Sequence, residues 1–300
     1  MGKIVKSTKE MVYDDENYVV TANSIIRGKQ SMSLQTARLI RLLITQIARE
    51  DKELGMYKCR ITDLAKYLGI PSQNLYRDID AITDEAMQSV VYIGTGDLHD
   101  AWKKIHWIST AEYDGNGTII LQLSQEVKSF VVELDKYFTQ YKYKNILFLK
   151  SFYAIRLYEL IVCEDGEKNS SKNRNNRLEQ RSVTFSVSEL REWLGCEDKL
   201  SSFGNLKKKA IEPQIAEINK KTDIYIEPVY HKTGRSVTSV EFIIKPNANV
   251  INGADMINDY ANVLQIEAHN RACDEEDKII IQKMTDDEIQ QRIEDMLNPK

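Results

Sequence analysis

The segment that decides the fold is SSFGNLKKKAIEPQIAEINKKT, residues 201–222. Wound as a helix from Ser201 or Ser202, it places four apolar residues on one side: Phe203, Leu206, Ala210 and Pro213. Three polar residues project from the other side, with Lys207 on the flank: Asn205, Lys208 and Lys209. Five lysines and two glutamates give the segment a net charge of +3, in a chain whose net charge is −4. Because basic runs are usually solvated surface, the neighbouring elements must decide its interpretation.

Those neighbours are typical of a winged helix-turn-helix. A short helix ending at Leu194-Gly195 precedes the segment, and two predicted strands follow it at residues 224–230 and 237–244. The strands are joined by the basic sequence HKTGR, residues 231–235. In helix-turn-helix proteins the second helix lies in the major groove of DNA, and the following hairpin touches the backbone beside it. The order of elements therefore predicts a DNA-binding domain.

Length and composition allow two globular domains, since 42% of the 300 residues are hydrophobic and 29% are charged. No window reaches about eighteen apolar residues, and the N-terminus lacks the apolar core of a secretory signal. Four scattered cysteines indicate reduced thiols, and hence a cytoplasmic protein. Residues 250–300 carry twelve acidic and five basic side chains, a net of −7, so the remaining chain has a net of +3.

In the first half, an almost entirely apolar helix is predicted to begin at Ser33, after a lead-in of residues 1–32. A short helix follows, with Thr62 as its N-cap and Gly69 at its C-terminal end. Ser72 is predicted to cap a second helix that runs to about residue 89. Its outward-facing positions include Gln73, Asn74 and Arg77.

Strands are predicted after this helix at residues 90–93, 104–112 and 118–123, the last two flanking the turn DGNG at 114–117. An aromatic cluster comes next, and we interpret it as packing rather than as a base-stacking surface: Tyr137, Phe138, Tyr141 and Tyr143.

The second half begins with another long apolar helix, at residues 146–163, followed by a polar stretch, 164–182, that is predicted to be a mobile loop. A capping box from Ser186 to Glu189 starts the next short helix. A further capping box at residues 285–288 predicts a short helix in the acidic tail.

The two halves repeat one plan. LAKYLG at residues 64–69 matches LREWLG at 190–195 with an offset of 126, and IRL at 40–42 matches IRL at 155–157 with an offset of 115. We therefore predict an α+β fold of two tandem winged helix-turn-helix domains related by pseudo-symmetry, plus an acidic helical C-terminal tail. The predicted segments are a lead-in (1–32), a first winged-helix domain (33–145), a second (146–249) and the tail (250–300).

The two halves differ in the charge of their second helix. Residues 72–89 contain Arg77 against four acidic residues, a net of −3, whereas residues 201–222 have a net of +3. Lysine and arginine supply most non-specific affinity for DNA because they displace counterions, so the second domain is expected to supply most of the binding. The first domain either reads a few bases through Gln73, Asn74 and Arg77 or is mainly a dimerisation and regulatory module.

These residues resemble the replication initiator proteins of iteron-type plasmids. The resemblance is clearest over residues 151–246, in SFYAIRLYEL (151–160), ELREWLG (189–195), Leu206, Glu212-Pro213, EIN (217–219) and Gly234-Arg235. A weaker match extends back to about residue 33 and includes LAKYLG (64–69) and NLYR (74–77). Residues 250–300 match no part of the family pattern.

The resemblance implies an initiator that binds direct repeats of double-stranded origin DNA as a monomer, in equilibrium with a homodimer that represses its own promoter. It also implies origin opening and contacts with the host initiator and replicative helicase. By position, the DNA-reading helices fall on residues 202–209 and 72–77, and the second-domain wing on 232–235. The implied DNA contacts are Ser202, Asn205, Lys207, Lys208, Lys209, Lys232, Arg235, Gln73, Asn74 and Arg77.

Three other functions are alternatives to this interpretation. An enzyme that nicks DNA with a tyrosine needs a metal held by paired histidines, but no two of the four histidines lie one or two residues apart, and no phosphate-binding glycine loop is present. We therefore predict no catalytic residues, metal or cofactor. A winged-helix repressor without a replication role is the main alternative, because fold does not settle function. A module that binds only proteins is disfavoured by the basic run 207–209.

Overall fold

The computed structural model describes residues 8–14, 16–94, 101–169 and 180–247. The acidic tail, with its predicted helix, and the middle of the predicted polar loop lie outside the described residues. Within the described ranges, no helix combines the length and hydropathy needed to cross a membrane.

The first half of the chain mixes helices with short strands. Its helices are α1 (Asn23–Arg27), α2 (Leu34–Thr45), α3 (Ile61–Leu68), α4 (Ser72–Gln88) and α5 (Lys144–Leu147), with a 3-10 helix at Gln125–Phe130. Its strands are β1 (Thr8–Glu10), β2 (Tyr18–Ala22), β3 (Met56–Arg60), β4 (Val90–Ile93), β5 (Lys103–His106), β6 (Ile108–Tyr113), β7 (Thr118–Leu123) and β8 (Phe138–Lys142). The predicted lead-in contributes β2 and α1, with Val19, Ile25 and Ile26 buried.

The second half follows the same plan. Its helices are α6 (Phe152–Asn169), α7 (Val187–Trp193), α8 (Phe203–Leu206) and α9 (Glu212–Lys221), and its strands are β9 (Arg181–Ser186), β10 (Ile224–Thr233) and β11 (Ser236–Pro246). The five residues between α8 and α9, Lys207–Ile211, form a π-helical turn.

The sheets confirm the predicted pseudo-symmetry. The first-domain sheet has the order β1-β3-β7-β6, and the second-domain sheet has the order β10-β11-β9. In both, the strand before the short helix pairs antiparallel with the second strand of the hairpin, as Cys59 opposite Ile119 and Val183 opposite Phe242 show. Each domain thus consists of a strand, a helix pair and a hairpin, and the second strand of the hairpin pairs with the first strand. This is the winged-helix arrangement predicted from the repeat.

Glycine ends the short helix of each domain, as predicted. Gly69 follows α3 with φ 66°, and Gly195 follows α7 with φ 65°, in the left-handed region that favours glycine. Gly195 has a second constraint, because a Cβ there would lie 2.8 Å from the carbonyl oxygen of Gln30. At Gly69 the nearest atom is 3.4 Å away and belongs to the side chain of Leu147.

Two of the predicted helix caps are wrong. Helix α3 begins one residue before Thr62, with Arg60 at the N-cap and no side-chain cap bond. Ser72 is the first residue of α4 rather than its cap, because Pro71 is extended and its carbonyl accepts from Asn74 N (3.0 Å). The capping box of α7 is confirmed: Glu189 N donates to Ser186 Oγ (3.1 Å), and the Glu189 carboxylate accepts from Ser186 N.

The second long helix is not continuous from residue 146, as the sequence predicted, but is divided into α5 and α6. Ser151 caps α6, because its Oγ accepts from Ala154 N (3.0 Å), and the preceding Lys150 N donates to Glu217 of α9 (2.8 Å). Helix α6 also runs past its predicted end into the stretch interpreted as a mobile loop, where Glu164 accepts from Arg27 at 2.8 Å. The other end of that stretch, from Arg181, begins β9.

The predicted strand 104–112 is two strands. β5 pairs with β4, and β6 pairs with β7, with Trp107 buried between them. The DGNG turn is confirmed, since Asp114 Oδ1 accepts from Asn116 N (2.7 Å) and Thr118 N (2.9 Å).

Only two of the four residues in the aromatic cluster are buried, so its interpretation as a packing cluster is only partly confirmed. Tyr141 and Tyr143 are buried, as that interpretation requires. Tyr137 and Phe138, however, are 72% and 39% exposed.

Matching arginines of the two long helices, α2 and α6, meet at one buried carboxylate. Arg41 on α2 donates to both carboxylate oxygens of Glu159 on α6 (Nε–Oε1 2.9 Å, Nη2–Oε2 3.0 Å). Arg156, at the position that matches Arg41, donates to the same carboxylate (Nη1–Oε2 3.0 Å). All three side chains are buried, and we call them the buried arginine–glutamate cluster.

This cluster links the first half of the chain to the second. Arg156 Nη2 donates to the Gly28 carbonyl, which follows α1 (3.1 Å), and to the Trp193 carbonyl at the end of α7 (3.1 Å). Burial alone would raise the pKa of Glu159, but the charge and hydrogen bonds of Arg41 outweigh it and hold the pKa below its usual value. The carboxylate is therefore ionised between two arginines.

Candidate nucleic-acid interface

The second-domain helix begins where the sequence predicts. Ser202 is the N-cap of α8, and its Oγ accepts from Asn205 N (3.2 Å). Leu206 and Ala210 are fully buried and Phe203 is half-buried, so the predicted apolar side faces the core. Pro213, predicted on that side, is exposed instead, and Ile211 and Gln214 are buried beside it.

The helical segment contains a π turn immediately before Glu212 and Pro213. Glu212 N donates to Lys207 O, five residues back, which is the hydrogen bond that defines a π turn. Helix α9 follows with Pro213 in its first turn, where a missing N–H is tolerated. The helical path therefore continues, but with one residue more in this turn than an α-helix would have.

The three consecutive lysines occupy different surroundings. Lys208 and Lys209 are exposed, and neither forms an ion pair with any residue that the structure describes. Lys207 is held in place: its ammonium lies 3.2 Å from Glu212 Oε1 and 4.5 Å from the ring centre of Tyr230. Two of the lysines are thus available to an external anion, while the third is partly neutralised.

The wing is longer and tighter than predicted. The strands β10 and β11 continue to Thr233 and from Ser236, so the turn is the pair Gly234-Arg235, and Lys232 lies on β10 rather than in the loop. Gly234 has φ 63°, as the first position of a two-residue hairpin turn requires. Lys232 and Arg235 are exposed, with no ion pair in the described part of the chain.

An aromatic contact joins the wing to the helix. Tyr230 on β10 packs edge-on against Phe203 of α8, with ring centres 5.6 Å apart, and its face receives the Lys207 ammonium. The basic wing tip and the basic helix therefore belong to one packed unit. Sequence reasoning missed this role for Tyr230, although alternation along β10 places it on the same face as Ile226.

The first-domain helix presents a more acidic surface. Gln73, Asn74 and Arg77 are exposed on α4, as predicted. Arg77 is bound by its neighbour Asp78, through Nε–Oδ1 at 2.6 Å and Nη2–Oδ2 at 2.8 Å. These hydrogen bonds raise the pKa of Arg77 and lower that of Asp78. Tyr76, which the sequence did not single out, is 45% exposed on the same helix.

In the described part of the chain, no three His, Cys, Asp or Glu side chains are grouped so as to hold a metal ion. Cys59, Cys163 and Cys196 are free and buried, and burial raises the thiol pKa to about 12, about 11 and about 11, respectively.

Two family models match the chain. The model described as "Initiator Replication protein, WH1" matches residues 18–162, and the one described as "Initiator Rep protein, WH2" matches residues 186–244. Among solved structures, the Pi initiator protein in complex with iteron DNA has a TM-score of 0.62 at 21% identity, covering 78% of this chain and 99% of that chain. Domains 2 and 3 of RctB give a TM-score of 0.37 at 10% identity, covering 81% and 96%.

The likeness to the Pi protein shows a shared fold, and the two family models cover both winged-helix domains. The family is one of DNA-binding initiators, not of enzymes with a known catalytic activity. A match to both initiator domains supports the initiator over the alternative of a repressor without a replication role. The chain therefore belongs to the family of plasmid replication initiators that carry a WH1 and a WH2 domain.

Proposed function

We propose that this protein binds direct repeats, or iterons, at its plasmid origin through both winged-helix domains. It then helps to open the origin and recruits the host initiator and the replicative helicase. The observation that carries the proposal is the exposed pair Lys208 and Lys209 beside the basic wing, in a fold shared with a protein solved on iteron DNA. Unpaired cations on a groove helix and its wing are the electrostatic footprint expected of such a reader.

The second domain, residues 146–249, is proposed as the main DNA-binding unit. Asn205 and Lys208 face the groove floor and read base edges, whereas Lys232 and Arg235 contact the phosphate backbone. Ser202 and the residues Lys207 and Lys209 complete the contact surface of the helix. Four exposed cations without ion pairs among the described residues support this assignment, because each phosphate they neutralise releases counterions: Lys208, Lys209, Lys232 and Arg235.

The first domain, residues 33–145, is proposed to bind DNA more weakly, through Gln73, Asn74 and Arg77, and to mediate a homodimer in equilibrium with the monomer. The ion pair between Arg77 and Asp78 supports the lower share of the binding, since a neutralised guanidinium attracts phosphate less. Because its proposed target is plasmid DNA, the protein is proposed to act in the cytoplasm.

A footprint on the DNA that flanks the coding sequence tests the function. We expect protection of tandem repeats whose spacing is near one or two helical turns, because successive molecules then lie on one face of the duplex. Protection of a single palindrome would instead identify a repressor, and protection of no site would leave the proposed recognition without support.

A further inference from the structure

The π turn between α8 and α9 is stabilised by the side chain of Gln214. Pro213 has no N–H to donate to the carbonyl of Lys209, four residues before it. Gln214 Nε2 donates to that same carbonyl at 2.9 Å. A buried side-chain amide therefore takes the place of the missing main-chain donor, directly beneath the lysine run.

The other end of the amide is anchored to the long helix of the domain. Gln214 Oε1 accepts from Ser151 Oγ at 2.5 Å, and the same Oγ accepts from Ala154 N at the start of α6. Gln214 is only 6% exposed. The chain of contacts thus runs from the carbonyl of Lys209 through Gln214 and Ser151 to the helix that carries Arg156 and Glu159.

The geometry of the turn determines where the lysines point. One residue of an α-helix corresponds to about 100° of rotation about the axis, so the extra residue of a π turn rotates the preceding residues by about that angle relative to α9. Leu206 and Ile218 are fully buried on either side of the turn and hold both parts of the helix against the core. With those parts fixed, the direction of Asn205 and Lys208 depends on the π turn.

We propose that Gln214 is a positioning residue for DNA recognition, which holds the π turn and so aims Asn205 and Lys208 at the base edges. This inference rests on the proposed function. Gln214 itself lies in the core and does not touch DNA. Its loss should leave Lys208 and Lys209 free to meet phosphates while removing the fixed direction that base reading needs.

The test compares Gln214→Met, which keeps the length and burial of the side chain, with the wild-type protein. Affinity is measured on a short duplex that carries one footprinted repeat and on a random duplex of equal length. We expect the preference for the repeat to fall about tenfold, the scale of one lost base contact, with the affinity for random DNA and its salt slope unchanged. Ser151→Ala removes the anchor together with the cap of α6, leaves the Gln214 amide in place, and should lower the preference in the same direction.

The control is Asn219→Ala, a residue of α9 whose Nδ2 donates to Ile226 O at 2.9 Å and whose Oδ1 accepts from Ile226 N at 2.7 Å. It should lower the thermal midpoint without changing the preference. If Gln214→Met and Ser151→Ala lower the midpoint but keep the wild-type preference, Gln214 is structural only and the inference is overturned. If the wild-type protein shows no preference for the repeat, the proposed function itself fails, which is a separate result.

Discussion

Arg77 and Lys208 are both exposed cations on the second helix of a domain, but their surroundings differ. Arg77 donates two hydrogen bonds to Asp78, whereas Lys208 has no ion pair among the described residues. Lys208→Ala should therefore weaken DNA binding more than Arg77→Ala. Because Lys208→Ala removes a base contact as well as a charge, it should make the free energy of binding to the repeat less favourable by about 1–3 kcal/mol.

Binding isotherms on repeat and random duplexes at several salt concentrations check this ranking. Lys52→Ala, at an exposed lysine after α2, is the matched control and should leave both isotherms unchanged. A larger loss for Arg77→Ala would make the first domain the principal reader and reverse the proposed division of labour.

Arg235 and Asn205 are expected to leave different signatures. Arg235 lies at the tip of the wing, where it meets backbone, so Arg235→Ala should weaken binding to all sequences alike and lower the salt slope by roughly one. Asn205→Ala removes no charge and should cost about 1–3 kcal/mol on the repeat only. The same isotherms separate the two effects, and a sequence-specific loss for Arg235→Ala would place the wing on base edges instead.

At the scale of the elements, the two Leu-Gly helix ends offer a paired test of local strain. Alanine at Gly69 or Gly195 must adopt a left-handed conformation, which costs about 1–2 kcal/mol. Gly195→Ala should cost more, because its Cβ meets a backbone carbonyl at 2.8 Å, whereas that of Gly69→Ala meets a side chain at 3.4 Å. Urea unfolding of both variants measures the difference, and equal losses would mean that the backbone at Gln30 moves aside.

The elements that could be predicted from the sequence are those specified by adjacent residues. The capping box at Ser186 and the glycine ends of α3 and α7 are local patterns, and the repeat of one plan at two places made the winged-helix fold predictable. Thr62 and Ser72 failed as caps because the extended residues Arg60 and Pro71 start each helix earlier. That competition is not visible in residue preferences alone.

The features that could not be predicted depend on residues distant in sequence. The break between α5 and α6 is stabilised by Glu217 and Gln214 of α9, more than sixty residues further along the chain. The apolar pattern of residues 146–163 carries no sign of those partners. The contact of Lys207 with Tyr230, which joins the helix to the wing, likewise depends on side-chain placement within a surface that the sequence identified only as basic.

At the scale of the whole molecule, the buried arginine–glutamate cluster should contribute more to the free energy of unfolding than an exposed ion pair does. Glu159→Gln leaves two buried arginines without their carboxylate, which should cost about 3–5 kcal/mol. Glu227→Gln breaks an exposed pair with Lys245 and should cost close to nothing. Urea unfolding compares the two, and a similar small loss for both would show that the cluster is replaceable.

The cluster also predicts an acid limit to stability. The pKa of Glu159 is lower in the folded protein than in the unfolded chain, so its contribution is complete above the unfolded value. That contribution is lost as the pH falls through the folded pKa. Urea midpoints measured towards acid pH should therefore fall less steeply in Glu159→Gln than in the wild-type protein. If the urea midpoints of the two proteins fall in parallel, Glu159 is not the ionised group that this prediction requires.

The acidic tail, residues 250–300, has a net charge of −7 and should repel DNA. Deleting it should leave folding intact and modestly raise the affinity for random DNA at low salt. Circular dichroism and a salt series check both expectations. Insolubility of the shortened protein would show that the segment belongs to a core.

The single glutamate between two matching arginines limits which two halves can be combined in one chain. At the same offset of 115, position 159 corresponds to Ile44 in the first half. A chain with two copies of the second half would enclose two arginines with two glutamates, whereas two copies of the first would enclose two arginines with no acid. In this cluster the two halves are complementary rather than equivalent. If the first half alone is replaced by that of another protein, the cluster is therefore kept only when the new segment has an arginine at the position of Arg41.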